Sequence, residues 1–192
     1  MKSLGKKGFT LIELLAVITI MGILMLVAIP AVSRTIENSR RDTYATLAKQ
    51  YITTVRSAVL ADELECGSGT NWKTVGSMPN GTYYFKINTE KQTGDKEYIS
   101  TQTSDIMEKV GKSSWSNADV NGYVKWVKTQ TGTAEAAKTK TTYSIALVDT
   151  GKHGIATETV EDSITRTSVS TNTTSNTVTM PSDTGIVECK LK

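Results

Sequence analysis

One histidine and two cysteines in 192 residues leave little material for a protein-only zinc site. The spacing of Cys66 and Cys189 is neither a redox CxxC nor a metal cluster. The chain has no phosphate-binding glycine loop, no HExxH pair and no EF-hand pattern. Aromatic residues are 6% and apolar residues 38% of the chain, and a large share of the apolar ones sits near the N-terminus. No acidic residue lies before Glu13. Lys2, Lys6 and Lys7 account for the whole formal charge of +3, so the rest of the chain is electrically balanced. That balance argues against a broad basic surface for nucleic acid. Threonine is the abundant residue, with 31 copies, and a threonine-rich, aromatic-dotted chain predicts β structure in its later part. Such a composition fits neither a disordered chain nor a uniform globule.

Charge is also missing from residues 14–32, and Glu13 is the only charged residue between Phe9 and Val32. As a helix, residues 9–32 would span about 36 Å, enough for a hydrocarbon core of roughly 30 Å. Leu, Ile, Val and Met occupy every face of it, so it is not an amphipathic surface helix. A cleaved secretory signal is the alternative. The run is longer than an ordinary signal core, however, and no small-x-small site follows it. The lysines before the span predict a cytoplasmic N-terminus and a translocated body. The flank after it also carries Arg34, Arg40 and Arg41 beside Glu37 and Asp42, so the bias is moderate. Glu13 is the anomaly, because a carboxylate in lipid is costly unless paired or near the headgroups. Pro30 removes one helix hydrogen bond, and Gly22 lowers helix stability upstream.

The stretch Gly5-Lys6-Lys7-Gly8-Phe9-Thr10-Leu11-Ile12-Glu13-Leu14-Leu15, with its continuation to Pro30, resembles the class III signal of type IV prepilins. The resemblance covers about thirty residues, and the remainder carries no matching motif. It implies that a membrane prepilin peptidase cuts between Gly8 and Phe9 and N-methylates Phe9. It implies that Glu13 pairs with the free α-amino group of another subunit, an attraction strengthened in a medium of low dielectric. It also makes Pro30 the family's helix-breaking proline, with Gly22 and Pro30 allowing the helix to melt locally during packing. Pseudopilins of type II secretion and of competence systems carry the same segment.

Beyond Pro30 the apolar residues Tyr44, Leu47, Tyr51, Val55 and Val59 recur at three and four residues. Ala48, Ile52, Ala58 and Leu64 broaden the stripe. No Pro or Gly interrupts residues 31–66, and the simplest reading is one helix over about residues 9–63. Its second half has one face to bury, and the β-rich body supplies the partner. Glu37, Arg40, Arg41 and Asp42 predict either ion pairs along the helix or contacts between subunits. Residues 67–71 predict a turn, with Trp72 opening the return to the core. Strands are predicted at 82–88, 123–128, 143–148, 155–160 and 186–191. An edge segment is predicted at 98–101, a helical turn at 106–110, an exposed loop at 131–141 and a hairpin over 163–179 with its tip at 171–175. Cys66 and Cys189 are either bonded or free thiols. The bonded form is the expectation outside the membrane, closing a loop worth near 5 kcal/mol by loop-closure theory. His153 reads as a turn residue, Asp149-Thr150-Gly151 is too short to signal an aspartic protease, and Asn172-Thr173-Thr174 is a weak sequon. Lys125, Lys128, Lys138 and Lys140 near Tyr123 and Trp126 read as a solvated face, with DNA binding as the lesser alternative.

The expected architecture is α+β, with a long N-terminal helix packed against an antiparallel sheet, as in the pilin fold. The expected segments are a leader at 1–8, a transmembrane and filament-core half-helix at 9–32, an amphipathic half-helix at 33–66 and an extracellular β-rich body at 67–192. No catalysis, cofactor or metal is expected. The resemblance implies a subunit that leaves the cytoplasmic membrane to join a helical, non-closing surface fibre, and the Thr-rich body with its long loops favours a major type IV pilin, serving adhesion, twitching motility or related surface functions. Its partners would be like subunits, the prepilin peptidase and a membrane platform with its ATPase. A pseudopilin or minor pilin is the second reading, and a membrane-anchored binding domain that never polymerises is the third.

Overall fold

The computed structural model describes residues 8–68, 71–88, 110–131, 138–171, 176–178 and 187–191. The edge segment expected at 98–101, the sequon at 172–174, and all but Val110 of the turn expected at 106–110 lie outside them. The chain divides into two compact units, Met1–Ser39 and Arg40–Lys192. One helix, α1 (Leu11–Leu60), runs without a break in its assignment through Gly22 and Pro30. In the second unit Tyr44, Ala45, Leu47, Ala48, Tyr51, Ile52, Val55 and Ala58 of α1 are buried, which is the three-and-four periodicity of the sequence turned into a packed face.

The helix stops earlier than about residue 63. Asp62 takes φ 55°, and the amides of Asp62 and Glu63 donate to the carbonyls of Val59 and Ala58 at 3.3 and 2.9 Å. This is a Schellman closure with aspartate where glycine is usual. The Asp62 carboxylate also accepts the Gly76 amide at 2.8 Å, which ties the helix end to the chain beyond the first hairpin. Cys66 therefore lies on a strand, not on the helix.

Among the described residues seven strands follow: β1 (Leu64–Ser68), β2 (Asn71–Thr74), β3 (Gly81–Asn88), β4 (Val120–Thr131), β5 (Lys138–Asp149), β6 (Gly154–Val160) and β7 (Val187–Leu191). They form one sheet in the order β2-β1-β7-β3-β4-β5-β6. Every pairing is antiparallel except that of β3 with β7. The Gly67 region is thus a hairpin between β1 and β2. The loop expected over 131–141 shrinks, because Thr129, Gln130 and Thr131 pair with Lys140, Thr139 and Lys138. Threonine favours a pleated ladder, and a polar composition did not make this stretch a loop.

The core lies between α1 and one face of the sheet. Tyr83, Trp126 and Tyr143 stand at paired positions of β3, β4 and β5. The Tyr83 and Trp126 rings stack with centroids 4.3 Å apart, and the Arg56 guanidinium of α1 lies 4.7 Å over the Tyr143 ring. On the opposite face Tyr84, Tyr123 and Ala146 form a smaller buried cluster, with Val178 packed on it.

The hairpin expected over 163–179 is replaced, where described, by a strap after β6. Two short 3-10 turns, Glu161–Ser163 and Arg166–Ser168, place Ile164 and Val169 in the core. Glu161 pairs with Arg56, and Thr171 accepts from the Arg41 guanidinium at 2.9 Å. Arg166 donates Nε to Asp42 at 2.8 Å and pairs with it through its second nitrogen. That hydrogen bond holds the Asp42 carboxyl below its ordinary range. The charges of the 37–42 cluster that were expected to pair along the helix or between subunits thus reach, for Asp42 and Arg41, into the strap.

Gly154 has φ +137°, and a methyl group there would lie 2.3 Å from the Leu147 carbonyl oxygen and 2.6 Å from the Tyr44 hydroxyl. The vacancy lets the Tyr44 hydroxyl donate to that carbonyl at 3.1 Å. Gly154→Ala is expected to destabilise the body by about 3 kcal/mol through strain and crowding, read as a lower urea midpoint of the full chain in detergent. Burial raises the tyrosine hydroxyls of Tyr44, Tyr51, Tyr83 and Tyr143, and that of Tyr123 to about 12. The folded state then keeps protons that the unfolded state releases above about pH 10, so stability falls as pH rises from there. An alkaline absorbance titration should show most of the seven tyrosines ionising only as the chain unfolds.

Candidate assembly site

Unit one holds every residue singled out for processing and assembly. Gly8 is exposed, with nothing within 4 Å of a Cβ built there. Phe9 is 91% exposed. From Leu11 to Ile36 the large apolar side chains are at least 48% exposed, on all faces of a helix. A soluble helix normally hides one apolar stripe, so this segment requires a different surrounding. By length and composition α1 is apolar enough to cross a membrane.

Glu13 sits at the third position of α1 and is bonded within its own chain. Its Oε2 accepts both the Thr10 amide and the Thr10 hydroxyl at 2.8 Å, while the Thr10 hydroxyl oxygen accepts the Glu13 amide at 3.3 Å. This reciprocal capping box uses the Thr-x-x-Glu pattern. The pattern is plain in the sequence as Thr10-Leu11-Ile12-Glu13. Capping satisfies helix amides that otherwise have no partner, and it supplies Glu13 with donors from its own chain.

Seven further Ser and Thr hydroxyls of α1 turn onto their own backbone. Thr19, Ser33, Thr35, Thr46, Thr53, Thr54 and Ser57 each donate to a carbonyl three or four residues earlier, at 2.8–3.1 Å. Gly22 leaves open space, with nothing within 4 Å of a built Cβ.

The two cysteines are joined by a disulfide, with a Cα–Cα distance of 4.1 Å, and hold directly opposed positions on β1 and β7. Other sequence candidates separate. Lys125 pairs with Glu158 at 2.6 Å, whereas Lys128, three residues on and on the opposite face, donates to the Met78 carbonyl at 2.8 Å. They do not form one basic patch. His153 stacks on Trp115 with centroids 4.7 Å apart, and its Nδ1 lies 3.1 Å from Asp149. Asp149 is buried and also accepts the Ser113 hydroxyl at 2.7 Å. Here the carboxylate stands between serine and histidine. A hydrolytic triad needs the histidine in that place, so the set reads as a turn lock. Among the described residues no group of three or more His, Cys, Asp or Glu side chains is placed to hold a metal ion.

Residues 4–29 match the family model described as the prokaryotic N-terminal methylation motif. No curated protein and no solved structure matches the chain. The motif is the class III signal of type IV pilins and pseudopilins, and it indicates a structural subunit processed by a prepilin peptidase. With the apolar helix it fits a membrane-anchored protein that is later extracellular.

Proposed function

We propose, for a chain that opens on the class III signal of type IV pilins and pseudopilins, that it is the major structural subunit of a surface pilus. Residues 1–8 are the leader, removed between Gly8 and Phe9 with N-methylation of Phe9. Residues 9–32 cross the cytoplasmic membrane and then form the filament core. The rest of α1 and the sheet face the outside. On leaving the bilayer, Glu13 exchanges the Thr10 donors for the α-amino group of a neighbour's Phe9. The observation that carries this reading is the motif at residues 4–29 together with the exposure of the large apolar side chains of α1 from Leu11 to Ile36.

A pseudopilin or minor pilin would share that motif, so abundance separates the readings. Fibres sheared from the cell surface are purified and their subunits weighed by mass spectrometry. A dominant species beginning at methyl-Phe9 is the expected result. Trace incorporation would assign the chain to a minor or pseudopilin role, and an unassembled chain with the peptidase present would leave only a membrane-anchored domain.

A further inference from the structure

Strand β7 is the only ladder connection between two parts of the described sheet. The β1–β2 hairpin pairs with nothing else in it, and the β3–β6 meander meets β7 along β3. The described ladder that holds β7 is short. It spans four residue pairs with β1, from Leu64↔Leu191 to Gly67↔Glu188, and three with β3, from Tyr83↔Val187 to Phe85↔Cys189. The second set is parallel, the weaker kind of pairing. The strand arrives from far along the sequence, with the bonded cysteines 123 positions apart, so loop-closure entropy opposes its docking. The meander needs none of this. Eight pairs join β3 to β4 and twelve join β4 to β5. The helix reaches the meander directly, through Tyr44 to Leu147 and Arg56 over Tyr143.

We infer that the Cys66–Cys189 bond is a redox latch that decides whether the sheet is closed. Oxidised, it holds β7 between β1 and β3. Reduced, β7 leaves its slot, and the body separates into a β1–β2 hairpin on the end of α1 and a still-folded α1 with the β3–β6 meander. Closing the latch takes two electrons and two protons from the two thiols. A disulfide-bearing oxidant accepts them and departs as its dithiol. The body is thereby completed only where such an oxidant is met, and a reduced chain carries open edges on β1 and β3 that invite wrong strand pairing. The inference concerns the body alone and does not depend on the role of the N-terminal segment.

Hydrogen exchange with mass readout on the full chain in detergent micelles tests it, comparing the oxidised protein with the same protein reduced by dithiothreitol. Cys66→Ala/Cys189→Ala serves as a second, reductant-free comparison. The expected result is exchange faster by about tenfold or more in β1, β2 and β7, with β4 and β5 as protected as before. Unchanged protection of β7 on reduction would overturn the latch, since pairing alone would then hold the strand. Loss of protection throughout β4 and β5 would overturn it equally, because the bond would then support the whole body.

Discussion

Glu13→Gln is expected to insert into the membrane like the parent and to lower filament yield by about a hundredfold or more, the scale of breaking one partner out of a buried ion pair. The amide is the informative replacement because glutamine also serves at the third position of a capping box. The helix start and its bonds to Thr10 are kept while the charge is removed. Glu13→Ala loses both and adds a cap defect of about 1 kcal/mol. If fibre yield, scored by immunoblot of sheared material, stayed normal for Gln and fell for Ala, the uncharged capping side chain would suffice to start the helix and the intersubunit pairing would be wrong.

The second large effect belongs to Gly8. A Cβ built there meets nothing within 4 Å, and Gly8 lies ahead of α1, so Gly8→Leu is expected to leave the fold of the described chain unchanged. The variant should nevertheless accumulate as the precursor, retaining residues 1–8, and be absent from fibres. Any loss then reports recognition by the peptidase. Intact-mass measurement of the membrane fraction checks it: a mature mass beginning at Phe9 in normal amount would remove Gly8 from the processing site.

The legible parts of this molecule were those governed by local periodicity. The burial of Tyr44, Leu47, Tyr51 and Val55 follows from spacing alone, as do the strands around Tyr84, Trp126 and Ile145. The end of α1 was hidden because Asp62 adopts the left-handed conformation that ordinarily announces itself as glycine. In the sequence the strap looks like a hairpin because Ile164 and Val169, isolated among Ser and Thr, resemble alternating strand residues. Their burial depends on contacts with a helix more than a hundred residues earlier. The placement of β7 between β1 and β3 is equally non-local, and no turn signal encodes a parallel insertion. In the N-terminal segment Gly8, Phe9 and Glu13 are visible as residue types, as are the two cysteines in the body. The bond from Glu13 to Thr10 was encoded in four consecutive positions and needed only the capping rule.

The hydroxyls along α1 change what that helix offers to anything approaching it. Each described Ser or Thr that folds its oxygen onto its own backbone turns a nominally polar position into a small, donor-poor one, and for threonine the part left outward is a methyl. A neighbour meeting this surface finds few directional bonds to satisfy. Contact there is governed by fit of shape, and two such rods can rotate or glide against each other without first breaking hydrogen bonds.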